Sequence, residues 1–367
     1  LPESLLQSTS IYLLFILDFV FWPSTELAWY EAMMAEEDEV ETRVNLARKH
    51  GIWTGVLIGV IMGLAVAAYL YISNREKEAG EKKKANEAIS GEEFRGGKIE
   101  ASDVVQVPGS NGLLIVDDGS PNAVLWMGID QSGRQVGDIV PIPLGVEVQD
   151  PEAITFDGTY FYVAGSQSDP GAKKSNAIVR FRFDSSTRRI LEPEAVENFR
   201  DLLINRSPML KGEGEKNGRQ GGLNIEGMVW DPNSKNKRLL LGLRNPLIEG
   251  QALIIPISLR NPGGPFSEEN LQVEAAQAIR ISLEGSGIRS LSYDEMSKSF
   301  LILSGAPEPQ KKTDFKLWDW KGDGSQPTAR EVLFDKEAKP EGVTRVSLGS
   351  DSFVFVVFDT GRYARLP

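Results

Sequence analysis

Five short stretches of this chain repeat one pattern, and that repetition limits the fold more than any other feature. They are IEASDVVQV (99–107), PEAITFD (151–157), IEGMVWD (225–231), IRSLSYD (288–294) and PEGVTRV (340–346). Their second residues are Glu100, Glu152, Glu226, Arg289 and Glu341. Each stretch is followed by an apolar run and usually by a turn and a second run. These runs include LLIVDDG (113–119), AVLWMGID (123–130), YFYVAGS (160–166), AIVRFRFD (177–184), RLLLGLRNP (238–246), ALIIPISL (252–259), SFLILSG (299–305), FKLWDW (315–320) and SFVFVVFD (352–359). Short β-rich runs punctuated by Gly, Asp, Asn, Pro and Ser predict an all-β domain. A four-stranded blade with its loops needs about 40–50 residues, and the repeats are spaced to suit blades with insertions. The sequence therefore predicts an all-β fold, a β-propeller of about five blades over 98–367. A β-sandwich is the alternative, but it gives no reason for the repeated Glu. The last repeat is short, so the ring is expected to close with an N-terminal strand unless the chain is truncated. The longest interval adds a helical insertion around Ala195–Ile204 and a polar loop at 211–222, which reads as a mobile surface loop.

Ahead of the propeller lies Ile52–Ser73, an uncharged apolar run. As a helix it would extend roughly 33 Å, enough to cross a hydrocarbon core of about 30 Å. Trp53, Tyr69 and Tyr71 sit near its ends, where amphipathic rings favour the interface. This predicts a transmembrane helix over 52–73 and a single-pass membrane protein. Alternatives are a buried core helix and, because Ala65-Val66-Ala67 resembles a processing site, a cleaved signal. Gly55, Gly59 and Gly63 recur on one face and would allow self-association. Residues 74–97 read as a charged stalk and 34–51 as a charged flank. Residues 1–33 read as an extension from upstream translation, with a second, shallow membrane segment as the competitor. Basic residues flank both ends of the run, more of them after it (Arg75, Lys77, Lys82, Lys83 and Lys84), which by count favours a cytoplasmic C-terminal side. Against that, a lone N-terminal anchor commonly exports the domain behind it, and a cysteine-free chain suits an oxidising compartment. The propeller is therefore expected on the periplasmic or extracellular side.

Composition removes several chemistries. There is no Cys, so thiol nucleophiles, iron–sulfur clusters and cysteine zinc sites are excluded. The one His is His50, beside the apolar run, so a Ser-His-Asp triad in the propeller would have to borrow it. Net charge is -12, which argues against nucleic acid as a partner.

The segment NIEGMVWDPNSKNKRLLLGLRNPLIEGQALIIPI (224–257) resembles the bacterial domain-of-unknown-function family 3616, as does the opening EASDVVQVPGSNGLLIVDDG (100–119). The "EG" repeats are also similar to the phytase-like and esterase-like propeller group. The resemblance implies a propeller-like domain, often attached to an export signal. It carries over no catalytic residues. Arg289 departs from the Glu of the other repeats.

If the repeated residues begin innermost strands, they ring one end of a central channel. Glu100, Glu152, Glu226 and Glu341 would then repel one another unless a cation or internal pairing neutralises them. Carboxylates without His or Cys select a hard cation, Ca2+ above all. The bland alternative is that each Glu accepts backbone N–H groups and locks the ring. The second strands end in Asp117 and Asp118, Ser166, Arg244 and Asn245, Ser304, and Asp359, which repeat symmetry gathers at one face. Glu226, Arg244, Asn245, Asp118 and Asp359 are the candidate ligand-binding residues, since an Arg beside carboxylates and hydroxyls can hold an anion or a sugar. Turn chemistry alone also explains the Asp and Ser positions. DWKGDG (319–324) reads as a turn, because Lys321 replaces an acidic calcium ligand. Two functions fit these residues: a membrane-anchored binding or scaffold module for a small anionic ligand, a glycan or a protein, or a Ca2+-dependent phosphoesterase- or esterase-like hydrolase.

Overall fold

The structure is a computed structural model. It describes residues 60–75, 88–235, 237–310, 314–335 and 337–366. It divides into two units, 1–81 and 82–367.

In the first unit, residues 60–75 form a helix, α1, with Val60, Met62, Leu64, Val66, Tyr69 and Leu70 exposed. Among the described residues no helix is long and apolar enough to cross a membrane. The extension 1–33, the flank 34–51, the start of the apolar run with Gly55 and Gly59, and residues 76–87 of the stalk lie outside the described residues.

The second unit is a ring of five antiparallel sheets. Blade 1 is β2 (Ala101–Gln106), β3 (Gly112–Asp117), β4 (Ala123–Ile129) and β5 (Gln135–Pro143). Blade 2 is β6 (Pro151–Phe156), β7 (Phe161–Gly165), β8 (Ile178–Asp184) and β9 (Arg189–Val196). Blade 3 is β10 (Asn224–Asp231), β11 (Arg238–Asn245) and β12 (Ala252–Leu259), edged by the short strands β13 (Leu271–Val273) and β14 (Ile279–Ile281). Blade 4 is β15 (Gly287–Asp294), β16 (Ser299–Gly305), β17 (Lys316–Trp320) and β18 (Thr328–Ala329). Blade 5 is β19 (Pro340–Leu348), β20 (Asp351–Phe358) and β21 (Arg362–Leu366), completed by β1 (Glu92–Glu93) from before the first repeat. The strand order is that of a five-bladed propeller and not of a sandwich.

The closing strand lies in the stretch read from sequence as stalk. Glu92 pairs with Tyr363 and Glu93 with Arg362, and Phe94 is buried between blades 1 and 5. Ile89 also bridges Phe334. The propeller sheet thus takes in residues ahead of the boundary at Lys98.

Strand periodicity explains the packing. Successive side chains point to opposite faces of a sheet. Along β3, Leu113 and Ile115 pack toward blade 5, while Leu114 and Val116 pack toward blade 2. Similar clusters fill the gaps between blades 2 and 3, 3 and 4, and 4 and 5. A second strand such as β3 is therefore buried on both faces, which is why it reads as a continuous apolar run. The insertion after blade 2 is a helix, α2 (Phe199–Arg206). It starts later than the sequence suggests, because Ala195 and Val196 complete β9.

Candidate functional site

The inner strands β2, β6, β10, β15 and β19 contact one another in a closed circle. Near its start, each breaks register with its neighbour, β10 at two steps. The residues skipped are Ser102, Glu152, Glu226, Arg289 and Glu341. A β-bulge leaves its extra residue out of the ladder and re-aims the side chain. The repeated position in the sequence is thus a repeated bulge. In blade 1 the bulge falls on Ser102, two residues after Glu100. Glu100 lies outside this ring: its carboxylate pairs with exposed Lys98 at 2.6 Å. Matching the dipeptide Ile-Glu in the first repeat hid this shift. Matching the buried residue two places after each bulge (Val104, Ile154, Met228, Leu291, Val343) exposes it.

The bulge residues form two groups. In the first, Arg289 sits between two glutamates. Its Nε lies 3.0 Å from Glu226 Oε2, and its Nη2 contacts Glu341 Oε1. Arg244, at the end of β11, donates from Nη1 to Glu226 Oε1 at 2.9 Å and from Nε to the Ala306 carbonyl at 2.8 Å. Its Nη2 lies 3.3 Å from Glu308. Asn224 also donates to Glu226 Oε1. Glu226 is only 2% exposed, so this is a buried ionic network. Burial pulls the Arg289 guanidinium below its usual value, against the raising effect of Glu226. Burial opposes the charge of Arg244 too, but Glu226 and Glu308 outweigh it and hold the group above its usual value. Both arginines are thus committed to carboxylates.

The second group makes no ion pair among the described residues, although Arg289 acts on Glu152 and Arg219 on Asp150. Carboxylate oxygens of Asp118, Asp150 and Glu152 lie within 4.8 Å of one another. Asp118 follows β3, Asp150 precedes β6, and Glu152 is the bulge of β6. Asp118 accepts from Ser102 Oγ at 2.7 Å. Asp150 has a left-handed backbone (φ 55°) and accepts from Ser168 Oγ at 3.5 Å. Glu152 makes no hydrogen bond and no ion pair within 4.0 Å among the described residues. Protein crowds the Asp118 carboxylate although part of the residue is open to solvent, and with Asp150, Asp359 and Glu226 nearby its pKa is pushed up to about 7. Burial likewise raises Asp150, reinforced by Glu226. Glu152 is pushed well above the carboxylate range, first by burial and then by Glu226, Asp150 and Asp118. Sequence reasoning missed Asp150, which lies just ahead of its repeat.

The other candidates make the following contacts. Asp117 accepts from the backbone N–H of Glu100 and from Ser120 Oγ. Asn245 accepts from the backbone N–H of Glu308, and Ser304 from Trp318 Nε1. Asp359 pairs with Lys339 at 2.7 Å. Ser166 bonds Ser168 at 2.9 Å. In DWKGDG, Asp319 pairs with Arg330 and Asp323 accepts from Ser325, as in a turn. The polar loop 211–222 differs from expectation. Buried Arg200 of α2 donates to the carbonyls of Gly214, Glu215 and Lys216 at 2.9, 3.1 and 2.8 Å, which pins the loop. Gly218 N–H bonds the Ser168 carbonyl, placing the loop beside Asp150.

Below the bulges the channel is pinched. Asp103 accepts from Ser290 Oγ at 2.9 Å across the ring and from the Ile154 N–H at 3.0 Å. Ser290 Oγ in turn accepts from the Val343 N–H at 3.1 Å. A Cβ on Gly342 would come within 2.6 Å of the Asp103 Cα, so glycine is what lets the strands close here.

The distinctive stretch 224–257 supplies β10, β11 and β12, and with them Glu226 and Arg244. Residues 207–366 match the family described as protein of unknown function (DUF3616). The matched residues hold blades 3 and 4 and all of blade 5 except β1, and with them Glu226, Arg244, Arg289 and Glu341. Asp118, Asp150 and Glu152 fall outside the matched stretch. No curated protein matches the chain. Among solved structures it is similar to a glucose dehydrogenase at 13% identity, covering 75% of this chain and 98% of that one, with a TM-score of 0.40. It is also similar to the exo-beta-1,3-galactanase of Phanerochaete chrysosporium at 7% identity, covering 76% and 63%, with a TM-score of 0.43. The pyranose dehydrogenase PQQ domain of Coprinopsis cinerea is 10% identical, covering 72% of each chain, with a TM-score of 0.39. Likenesses this distant carry no activity over to this chain.

Proposed function

We propose that the propeller is a cation-dependent binding module, with Ca2+ held at the channel mouth by Asp118, Asp150 and Glu152. One observation carries this reading: three carboxylates from three positions converge within 4.8 Å without an ion pair among the described residues, Arg244 and Arg289 are already paired with Glu226, Glu341 and Glu308, and beyond these two only exposed Arg219 acts on the group, through Asp150. The donor set fits a hard cation, because it offers only oxygen and no His or Cys. The ion would supply the neutralising charge and open coordination positions for a ligand's oxygens. The chain's own part is to hold the three carboxylates in place: Ser102 orients Asp118, Ser168 orients Asp150, and the bulge aims Glu152. The ion set differs from the four repeated glutamates suggested by the sequence, since Glu226 and Glu341 share Arg289 and Glu100 lies apart.

An anionic ligand would reach the site through the bound ion and not through Arg244 or Arg289, which are occupied. The apolar run 52–73 would tether the module to a membrane, with the propeller on the periplasmic or extracellular side. Calorimetric titration of the full chain with Ca2+ tests the ion site. One site is expected in the native chain, and none in Asp150→Asn/Glu152→Gln. Binding that persists in the double variant would refute the assignment. Protease protection of the propeller in sealed vesicles of known orientation tests its side of the membrane.

A further inference from the structure

The far end of the channel holds a second cavity that the acidic mouth does not use. It has a volume of about 400 Å3 and is lined by residues from all five inner strands, including Gln106, Phe156, Trp230, Tyr293, Thr344 and Arg345. These residues lie three or four positions after the bulges. That separation is roughly 10–13 Å of strand. The Asp103–Ser290 bridge lies between the two compartments, so the cavity is a separate site.

Its chemistry is distinctive in what is paired and what is not. Every charge on its wall has a partner. Arg345 Nη2 bonds Asp294 at 2.7 Å, and Asp294, buried, is held below its usual value chiefly by that bond and the Met296 N–H against the cost of burial. Glu295 pairs with Lys298 at 2.6 Å. Asp157 accepts from Tyr162 Oη and from the N–H groups of Thr159 and Tyr160, each at 2.7 Å. The unpartnered groups are hydroxyls and one N–H of the Arg345 guanidinium, whose charge is paired with Asp294. Ser292 Oγ and Arg345 Nε are buried without a hydrogen-bond partner. The Thr344 hydroxyl has none among the described residues. Thr155 Oγ1 accepts from the Trp230 N–H, which leaves its own O–H free to donate. Three aromatic side chains, Phe156, Trp230 and Tyr293, share this wall, and all three are only half-buried.

We propose that this cavity binds a neutral saccharide. Aromatic surface takes the apolar C–H face of a sugar ring, while the hydroxyls of Thr344 and Thr155 take its hydroxyl groups. Ser292 Oγ and Arg345 Nε have almost no accessible surface, so Thr344 and Thr155 are the groups a ligand meets. An anionic ligand has no unpaired cation here to meet, and the one carboxylate without a cationic partner, Asp157, already accepts from three donors. The cavity falls within the usual size of small-molecule sites, about 300–1,000 Å3.

Saturation-transfer NMR on the full chain, held in a detergent that is not a glycoside, tests this. The probes are methyl glucoside, galactose, N-acetylglucosamine and cellobiose, with benzoate as a charged aromatic control. At least one saccharide is expected to receive saturation at its ring C–H protons. Thr344→Val keeps the shape and removes one hydroxyl, and Tyr293→Ala removes one aromatic wall. Each is expected to weaken binding by about five- to tenfold, the worth of one or two polar contacts. Asp150→Asn, at the other end of the channel, is expected to leave saccharide binding unchanged, which separates this site from the ion site. Three results would overturn the proposal: transfer to no saccharide, transfer to benzoate alone, or saccharide binding that neither Thr344→Val nor Tyr293→Ala weakens.

Discussion

Arg289 is the residue on which the mouth depends most. It joins Glu226 and Glu341 across the ring, and all three are nearly buried. Removing one partner from a buried ion pair leaves an uncompensated charge, at a cost of about 3–5 kcal/mol. Arg289→Gln should therefore lower unfolding stability by about that amount in denaturant titration. A loss under about 1 kcal/mol would mean that the pairing is weak, as in exposed pairs. The carboxylates beside it have a separate, pH-dependent effect. Asp118, Asp150 and Glu152 are all raised in the folded chain, Asp118 to about 7 from 3.8. The fold then holds extra protons between those values. The stabilising contribution of Asp118 is complete below about pH 4 and is lost as pH rises through about 7, and Asp150 and Glu152 act in the same direction. Groups with depressed values, such as Asp294, Asp184 and Asp130, act in the opposite sense in acid. Without added ions, unfolding midpoints should fall between pH 5 and about pH 8. Glu152→Gln should flatten that slope. A slope of the opposite sign in the native chain would show that the trio is not protonated.

At the scale of elements, legibility followed burial. Strands β3, β7, β11, β16 and β20 are buried along most of their length, so sequence pattern alone located them. The outer strands β5 and β9 alternate exposed and buried positions unevenly, and β13, β14 and β18 are three residues or fewer. Their pattern is too short or too polar to separate from loop. The closing strand β1 is two glutamates in a charged run, and only its partner in a distant blade makes it a strand. Likewise Asp150 carries no repeat signal; the turn into β6 brings it to the mouth. Local sequence contains neither fact. The closure can be tested by itself. Phe94 packs among residues of blades 1 and 5, including Tyr363 at 5.3 Å between ring centres. Phe94→Ala should cost about 3–5 kcal/mol, read by denaturant unfolding. Removal of residues 88–97 should cost more. If Phe94→Ala is neutral, blade 5 closes without its N-terminal strand.

The second unit is a ring whose two channel ends differ in chemistry. One end gathers carboxylates, and the other gathers aromatic rings and unpaired hydroxyls. The pinch at Asp103 and Ser290 keeps them apart, so a ligand at one end need not disturb the other. Completion of the acidic end by a cation is the proposal on which the binding function rests. The thermal unfolding midpoint of the full chain, with Ca2+ and with a chelator, at pH 6 and pH 8, reads it out. A ligand that binds only the folded state raises the midpoint, by about 2.7 kcal/mol of stability at a hundredfold excess over its Kd. Protons compete for the same oxygens, so the rise should be larger at pH 8 than at pH 6, and Asp150→Asn/Glu152→Gln should abolish it. An unchanged midpoint at both pH values, or an equal rise in the double variant, would rule the cation out.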